Sequence, residues 1–226
     1  MREQLTSQSE DYLKAIHTLA LEHPEGKVGT QAIADHLGIK AASVTEMLKR
    51  LSELGLVEHQ PYRGSRLSDA GQRIALELIR HHRLLELYLH QALGYALEDV
   101  HREAEKLEHH ISEEFEARIS ELLGHPTHDP HGEPIPGLDG TIPTYATRAL
   151  SDVPAGTETR VGRVPERDPD FLRFVVSLGL TPGVSLRVLE VNTPAGTITL
   201  KLEHATHTLG LEQARRLYVD DPLAAN

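Results

Sequence analysis

Apolar positions recur at helical spacing once the polar N-terminus is passed. Tyr12, Ile16, Leu19 and Ala20 share one face and predict a first helix over residues 9–22. Thr30 is a fitting N-cap for a short helix whose Ile33, Ala34 and Leu37 form one face and which Gly38 ends. Residues 41–54 form the next helix, with Val44, Leu48, Leu51 and Leu54 inward and Gly55 as its stop. Two short helices joined by a glycine-containing turn make a helix-turn-helix. Residues 56–67 then place apolar positions at both ends of a turn over residues 62–66, which predicts a β-hairpin wing.

Helical spacing returns over residues 68–90 and again over 98–123, and Gly124 opens the Pro-, His- and Gly-rich stretch 125–140. Beyond Ala155 the pattern turns to short Val-, Leu-, Ile- and Thr-rich runs at 159–164, 184–191, 197–202 and 206–209, bounded by Gly or Pro. The expected class is α+β. A winged helix-turn-helix occupies 1–75, an all-α domain 76–140, a linker 141–154, and a small SH3-like β-barrel 155–226.

Charge sharpens this division. Residues 1–75 carry 9 basic and 10 acidic side chains and residues 141–226 carry the same numbers, whereas residues 76–140 carry 5 and 14, with nine of the fifteen histidines. Such a segment repels itself unless it holds cations. The formal net charge of −11 argues against indiscriminate nucleic-acid binding. With no cysteine, disulfides, thiol catalysis and iron–sulfur ligation are excluded. No apolar run approaches the roughly 18–20 residues that span a bilayer, and the polar N-terminus lacks the core of a signal peptide. A cytoplasmic protein without membrane contact is expected.

In a helix-turn-helix the second helix enters the major groove. Here its outward positions are Ser43, Thr45 and Glu46, followed by Lys49 and Arg50, with Thr30 at the start of the first helix. Lys40, Arg63 and Arg66 are placed to reach flanking phosphates. No arginine or asparagine on the early turns suits a bidentate base contact, so selectivity leans on Ser and Thr hydrogen bonds, thymine methyls and DNA shape.

The 98–123 helix holds His101, Glu105, Glu108 and His109, separated by three and four positions and therefore on one face. The preceding helix offers His82 and Glu86 at i, i+4. Two helices each presenting carboxylate and imidazole can hold a divalent metal. Oxygen and imidazole donors without thiolate suit Mn(II), with Fe(II), Co(II), Ni(II) and Zn(II) as alternatives. His81, His90 and His110 read as surface or packing residues, and His125, His128 and His131 as part of a solvated loop, with adventitious ligation as the alternative. Neither His-Glu-x-x-His, Gly-x-Ser-x-Gly nor a phosphate-binding glycine loop is present, so no enzyme signature appears.

Taken together, Ser9-Glu-Asp-Tyr-Leu13, Val44-Thr-Glu-Met-Leu48, Gly55-Leu-Val57, Arg80-His-His-Arg-Leu-Leu-Glu86, the run Val100 to His110 and Asp129-Pro-His-Gly-Glu-Pro-Ile-Pro136 resemble the diphtheria-toxin-repressor family of metal-dependent transcription regulators, in its manganese-responsive branch. The resemblance covers about residues 7–140. The tail, notably Leu178-Gly-Leu-Thr-Pro-Gly183, is similar to the SH3-like, FeoA-type domain of the longer members.

The resemblance implies a primary metal site of Asp11, Glu105, Glu108 and His109. It also implies an ancillary site of His82, Glu86 and His101, completed from the C-terminal domain by Glu166, with Asp168 and Asp170 as alternatives. Iron-responsive members carry Met and Cys where this chain has Asp11 and Glu105, which moves the expectation to manganese. Short manganese regulators carry Glu where this chain has Lys14, which favours two separated mononuclear sites. The function implied is a homodimeric transcriptional regulator, repressor or activator, that controls metal-homeostasis genes and binds a palindromic operator in double-stranded DNA when loaded, with no small organic cofactor. Two other readings fit parts of the sequence: a winged-helix sensor of an organic ligand, and a metal-dependent enzyme.

Overall fold

The computed structural model describes residues 5–21, 23, 25–60 and 63–221. The chain divides into two compact units. One comprises residues up to His81 with Glu108–Ile111 and Pro136–Thr141, and the other comprises His82–Leu107, Ser112–Ile135 and the chain from Ile142 onward. These units do not follow the three segments of the sequence.

In the first unit, α1 spans Ser7–Ala20, where the Thr6 side chain accepts from the Ser9 amide and satisfies one of the free N-terminal donors. The expected helix end at Glu22 lies outside the described residues. Helices α2 (Thr30–Leu37) and α3 (Ala41–Glu53) are separated by Gly38, whose φ of 66° lets the chain leave α2 in the left-handed conformation. Strands β1 (Val57–Gln60) and β2 (Gly64–Leu67) pair antiparallel from Val57↔Leu67 to Gln60↔Gly64, forming the wing. Val28 adds a bridge to Ser65, each amide donating to the other's carbonyl at 2.8 Å. Tyr62, at the expected turn, lies outside the described residues.

Tyr12, Leu13 and Ile16 of α1, Ile33 of α2, and Leu48 and Leu51 of α3 are fully buried in one cluster. Each such leucine contributes about 1.5–3 kcal/mol by leaving water. The long helix α4 (Asp69–Gln91) starts here, placing Ile74, Ala75 and Leu78 in the same core. Among the described residues no helix is long and apolar enough to cross a membrane.

The expected helix over 98–123 is two helices. Helix α5 runs Val100–Leu107, residues 108–110 turn, and α6 runs Glu113–Leu122. Ser112 caps α6 by accepting from the Phe115 amide at 3.2 Å, and Glu113, Glu114 and Glu116 place negative charge at its N-terminus. Glu108 and His109 therefore lie in a turn beyond α5 rather than on a continuous helix.

The C-terminal sheet is antiparallel with strand order β3-β8-β4-β5-β6-β7. Its strands are β3 (Arg148–Ala149), β4 (Glu158–Arg163), β5 (Ser185–Asn192), β6 (Thr197–Lys201), β7 (Thr206–Gly210) and β8 (Tyr218–Val219). It begins before Ala155, because Arg148 and Ala149 pair with Val219 and Tyr218. A 3₁₀ turn covers Leu150–Asp152, and the short helix α8 covers Leu211–Ala214. Helix α7 (Pro169–Ser177) was not expected in a stretch read as β. Asp168 caps it through the Phe171 amide, Pro169 opens it, and Phe171, Leu172 and Val175 turn inward. Leu97 packs in the same core as these residues and the sheet.

The stretch 125–140 is solvated at His125 and at Leu138 and Asp139, but not between Asp129 and Pro136. His131 and Ile135 are buried, and Gly132, at φ +88°, approaches β4 so closely that an added Cβ would stand 1.9 Å from the Gly162 carbonyl oxygen. Gly132→Ala combines a left-handed backbone with a clash against main chain. It is expected to cost about 1–3 kcal/mol or more, read as a lower Tm in thermal unfolding.

Candidate metal centres

The first cluster joins α1 to the turn after α5. Asp11 projects from α1, while Glu108 and His109 sit in that turn, and one donor atom from each lies within 4.8 Å of the others. His109 Nε2 is 2.9 Å from Asp11 Oδ1 and 3.6 Å from Glu108 Oε1. Behind it, His109 Nδ1 meets Glu10 Oε2 at 2.7 Å. A carboxylate only accepts, so without metal both ring nitrogens carry protons; loss of the Nε2 proton would keep Nδ1–H on Glu10 and free the Nε2 lone pair for the cluster.

Burial opposes the charged imidazolium, but the hydrogen bonds to Asp11 and Glu10 and the charge of Glu108 outweigh it, lifting the His109 pKa to about 9. Glu108 is fully buried and accepts from Lys14 Nζ at 2.5 Å. The turn is held from α4 by His81, whose Nδ1 lies 3.2 Å from the Glu108 carbonyl.

The second cluster lies in the other unit. His82 and Glu86 stand one turn apart on α4, as their spacing requires. His82 Nε2, His101 Nδ1 and Glu86 Oε1 converge at 2.9–3.1 Å. Glu166, on the segment between β4 and α7, completes a four-residue group with them. Donors at right angles about one ion, each at about 2.1 Å, stand about 3.0 Å apart, so this convergence suits a shared cation.

Glu86 and Glu166 also form a group with Asp129 and His131. The loop that carries these two is closed by Asp129 Oδ1, which accepts from the His131 and Glu133 amides at 2.8 and 2.9 Å. His131 Nε2 donates to the Leu97 carbonyl at 3.0 Å, leaving Nδ1 to face Glu86 Oε2 at 3.6 Å. Glu86 Oε2, Asp129 Oδ2, His131 Nδ1 and Glu166 Oε2 are all buried without a hydrogen-bond partner. Buried polar atoms are rarely left so. Four of them, from four residues that converge, call for a cation.

The electrostatics agree. Burial resists ionisation of Glu86, yet His82, His101 and His131 hold its carboxyl well below the usual range. Burial and then the Glu86 charge push the Asp129 carboxyl well above its ordinary value. Burial opposes protonation of His131, but the Glu86, Asp129 and Glu166 carboxylates raise it to about 9.

Of the expected primary set, Asp11, Glu108 and His109 come together. Glu105, on α5, stands 3.9 Å from both His82 Nδ1 and His101 Nε2. Of the alternatives to Glu166, Asp168 caps α7 and pairs with Arg216, while Asp170 pairs with Arg173 at the surface. Glu10, Asp129 and His131 were not singled out by spacing. Adjacency to Asp11 was the signal for Glu10, and the Asp129-Pro-His131 loop carried the other two.

On the helix-turn-helix, Lys40, Ser43, Glu46, Lys49 and Arg50 are exposed, as are Arg63 and Arg66 of the wing, whereas Thr30 and Thr45 are half-buried. The Thr45 hydroxyl donates to the Ala41 carbonyl of its own helix, Lys49 stands 3.6 Å from Glu46, and Arg66 pairs with Glu58.

Comparison with known proteins places these features. Residues 4–65 match the family described as "Iron dependent repressor, N-terminal DNA binding domain", residues 68–137 its "metal binding and dimerisation domain", and residues 148–221 the FeoA domain. The chain is 35% identical to the diphtheria toxin repressor of Corynebacterium glutamicum, covering 92% of this chain and 97% of that one. It is 31% identical to the iron-dependent repressor IdeR of Mycobacterium bovis, over 96% and 98%. A solved "Manganese-dependent transcriptional repressor complex with manganese" superposes with a TM-score of 0.86 at 40% identity, covering 95% of this chain and 100% of that one. The winged helix-turn-helix, the clustered carboxylate and imidazole donors and these likenesses agree: the chain belongs to the iron-dependent, diphtheria-toxin-repressor family of metal-dependent transcriptional regulators.

Proposed function

We propose that this regulator responds to Mn(II), acts in the cytoplasm as a homodimer, and represses from a palindromic operator in double-stranded DNA without a small organic cofactor. The observation that carries the metal reading is the set of four converging buried donor atoms without a hydrogen bond on Glu86, Asp129, His131 and Glu166. The donors in both clusters are carboxylate and imidazole alone, a hard set suited to Mn(II) and able to take Fe(II). A neighbour whose title names manganese adds support.

Asp11, Glu108 and His109 would hold one ion. His82, Glu86, His101 and Glu166, with Asp129 and His131 at hand, would hold a second, and Glu105 stands beside His82 and His101. A bound ion supplies two positive charges among carboxylates that otherwise repel. Asp11 and the 108–109 turn would share the first ion, so loading ties α1 to that turn and steadies the helix-turn-helix that α1 packs against. Ser43, Glu46, Lys49 and Arg50 on α3 would then face the major groove, with Lys40, Arg63 and Arg66 at phosphates. Linkage requires DNA to tighten metal binding by the factor with which metal tightens DNA binding.

Fluorescence anisotropy tests this with palindromic duplexes at fixed salt, titrating Mn(II), anaerobic Fe(II), Zn(II) and EDTA. Mn(II) is expected to strengthen binding by about 10–100-fold, within the usual range of coupling energies. DNA affinity indifferent to every metal would overturn the reading in favour of an organic-ligand sensor.

A further inference from the structure

We infer that Glu133 is a positioning residue for the second metal cluster: its carboxylate clamps α4 to β4 and so carries Glu166 to Glu86 and His131. The inference rests on the metal reading above and concerns a residue outside every ligand set named there.

Glu133 Oε1 accepts from Arg163 Nη1 at 2.8 Å, and Glu133 Oε2 stands 3.3 Å from Arg83 Nη2. Arg83 follows His82 on α4, one turn before Glu86. Arg163 ends β4, three residues before Glu166. One carboxylate thus joins the helix that supplies two donors to the strand that delivers another. The three side chains are only 17–19% exposed, so water does little to screen the pairs.

Each partner is held in place by a second contact. Asp129 Oδ1 accepts from the Glu133 amide, so the turn that orients His131 also orients Glu133. Arg83 donates to the Pro134 carbonyl. The Arg163 guanidinium lies 3.9 Å over the Tyr218 ring of β8. Beside the clamp, the Val164 amide donates to the His131 carbonyl at 2.9 Å. Removing the Glu133 charge would leave two arginines facing each other around a neutral group, which favours separation of β4 from α4.

The test compares the parent chain with Glu133→Gln, which keeps the volume and removes the charge, and with Glu133→Asp, which keeps the charge at shorter reach. Mn(II) binding is followed by electron paramagnetic resonance of free Mn(II), and amide hydrogen exchange of residues 158–167 is followed in EDTA. In Glu133→Gln, one equivalent is expected to weaken by about 10–100-fold, the usual effect of removing a group that orients ligands. The equivalent lost in Glu108→Gln should be unchanged, exchange in 158–167 should rise, and Glu133→Asp should fall between.

Unchanged exchange together with unchanged affinity would overturn the clamp. Raised exchange with both equivalents intact would overturn its link to the metal. A parent chain that binds fewer than two ions would instead refute the second metal site. The exchange measured in EDTA would then still decide whether Glu133 docks β4: raised exchange supports docking, and unchanged exchange overturns it.

Discussion

In Glu108→Gln, Mn(II) is expected to leave DNA affinity unchanged at concentrations that saturate the parent chain. Glu108 is fully buried beside His109 and Asp11, where its charge is poorly screened by water. The amide retains shape and one weak donor oxygen but loses the charge that draws a hard cation. A change to a group that only orients ligands costs about 10–100-fold in metal affinity, and loss of a ligand should cost more. The substitution also weakens the Lys14 pair, so a thermal melt in EDTA must first establish that the variant folds. Anisotropy then gives the answer. A folded variant whose DNA binding still responds to Mn(II) like the parent would remove Glu108 from the ligand set.

The second large effect is on pH. Carboxylates hold His109 and His131 protonated to about pH 9 in the metal-free protein, and both must be neutral to offer a lone pair. Metal binding near pH 7.5 should therefore release about one proton from each. Where both sites are read together, apparent affinity should climb steeply as pH rises, about tenfold per unit for each histidine, and level off above about 9. Titration calorimetry in two buffers of different ionisation enthalpy counts the protons directly, and release near zero would contradict the assignment.

The effect on stability runs the other way. These are bases with raised folded-state pKa values, so their contribution is full below the unfolded value of about 6.5. It is lost as pH rises through about 9. The metal-free fold should thus weaken over the interval in which metal binding strengthens.

Much of the chain was legible because local patterns carry it. The α2–turn–α3 unit follows from apolar spacing with Gly38 as the stop, and the wing follows from its flanking apolar ends. His82 and Glu86 meet at one point because they are one turn apart on a continuous helix, which needs no tertiary information. The 98–123 stretch misled for the same reason. Leu107, Ile111 and Phe115 keep helical spacing straight through the break, and no Gly or Pro interrupts them. The available signal was Ser112 ahead of Glu113 and Glu114, a helix start inside an apparently unbroken helix.

By itself, then, the sequence determined the order of elements, the acidic and histidine-rich middle and the hard character of its donors, all properties of composition and near neighbours. The tertiary structure decided which donors meet. Asp11 reaches His109 across nearly a hundred residues, and His82, Glu86 and His101 meet from two helices. Asp129 and His131 enter a buried cluster from a loop whose polar composition reads as solvated. No periodicity encodes these encounters, because they follow from how separate elements pack and from the cost of leaving a buried polar atom without a partner.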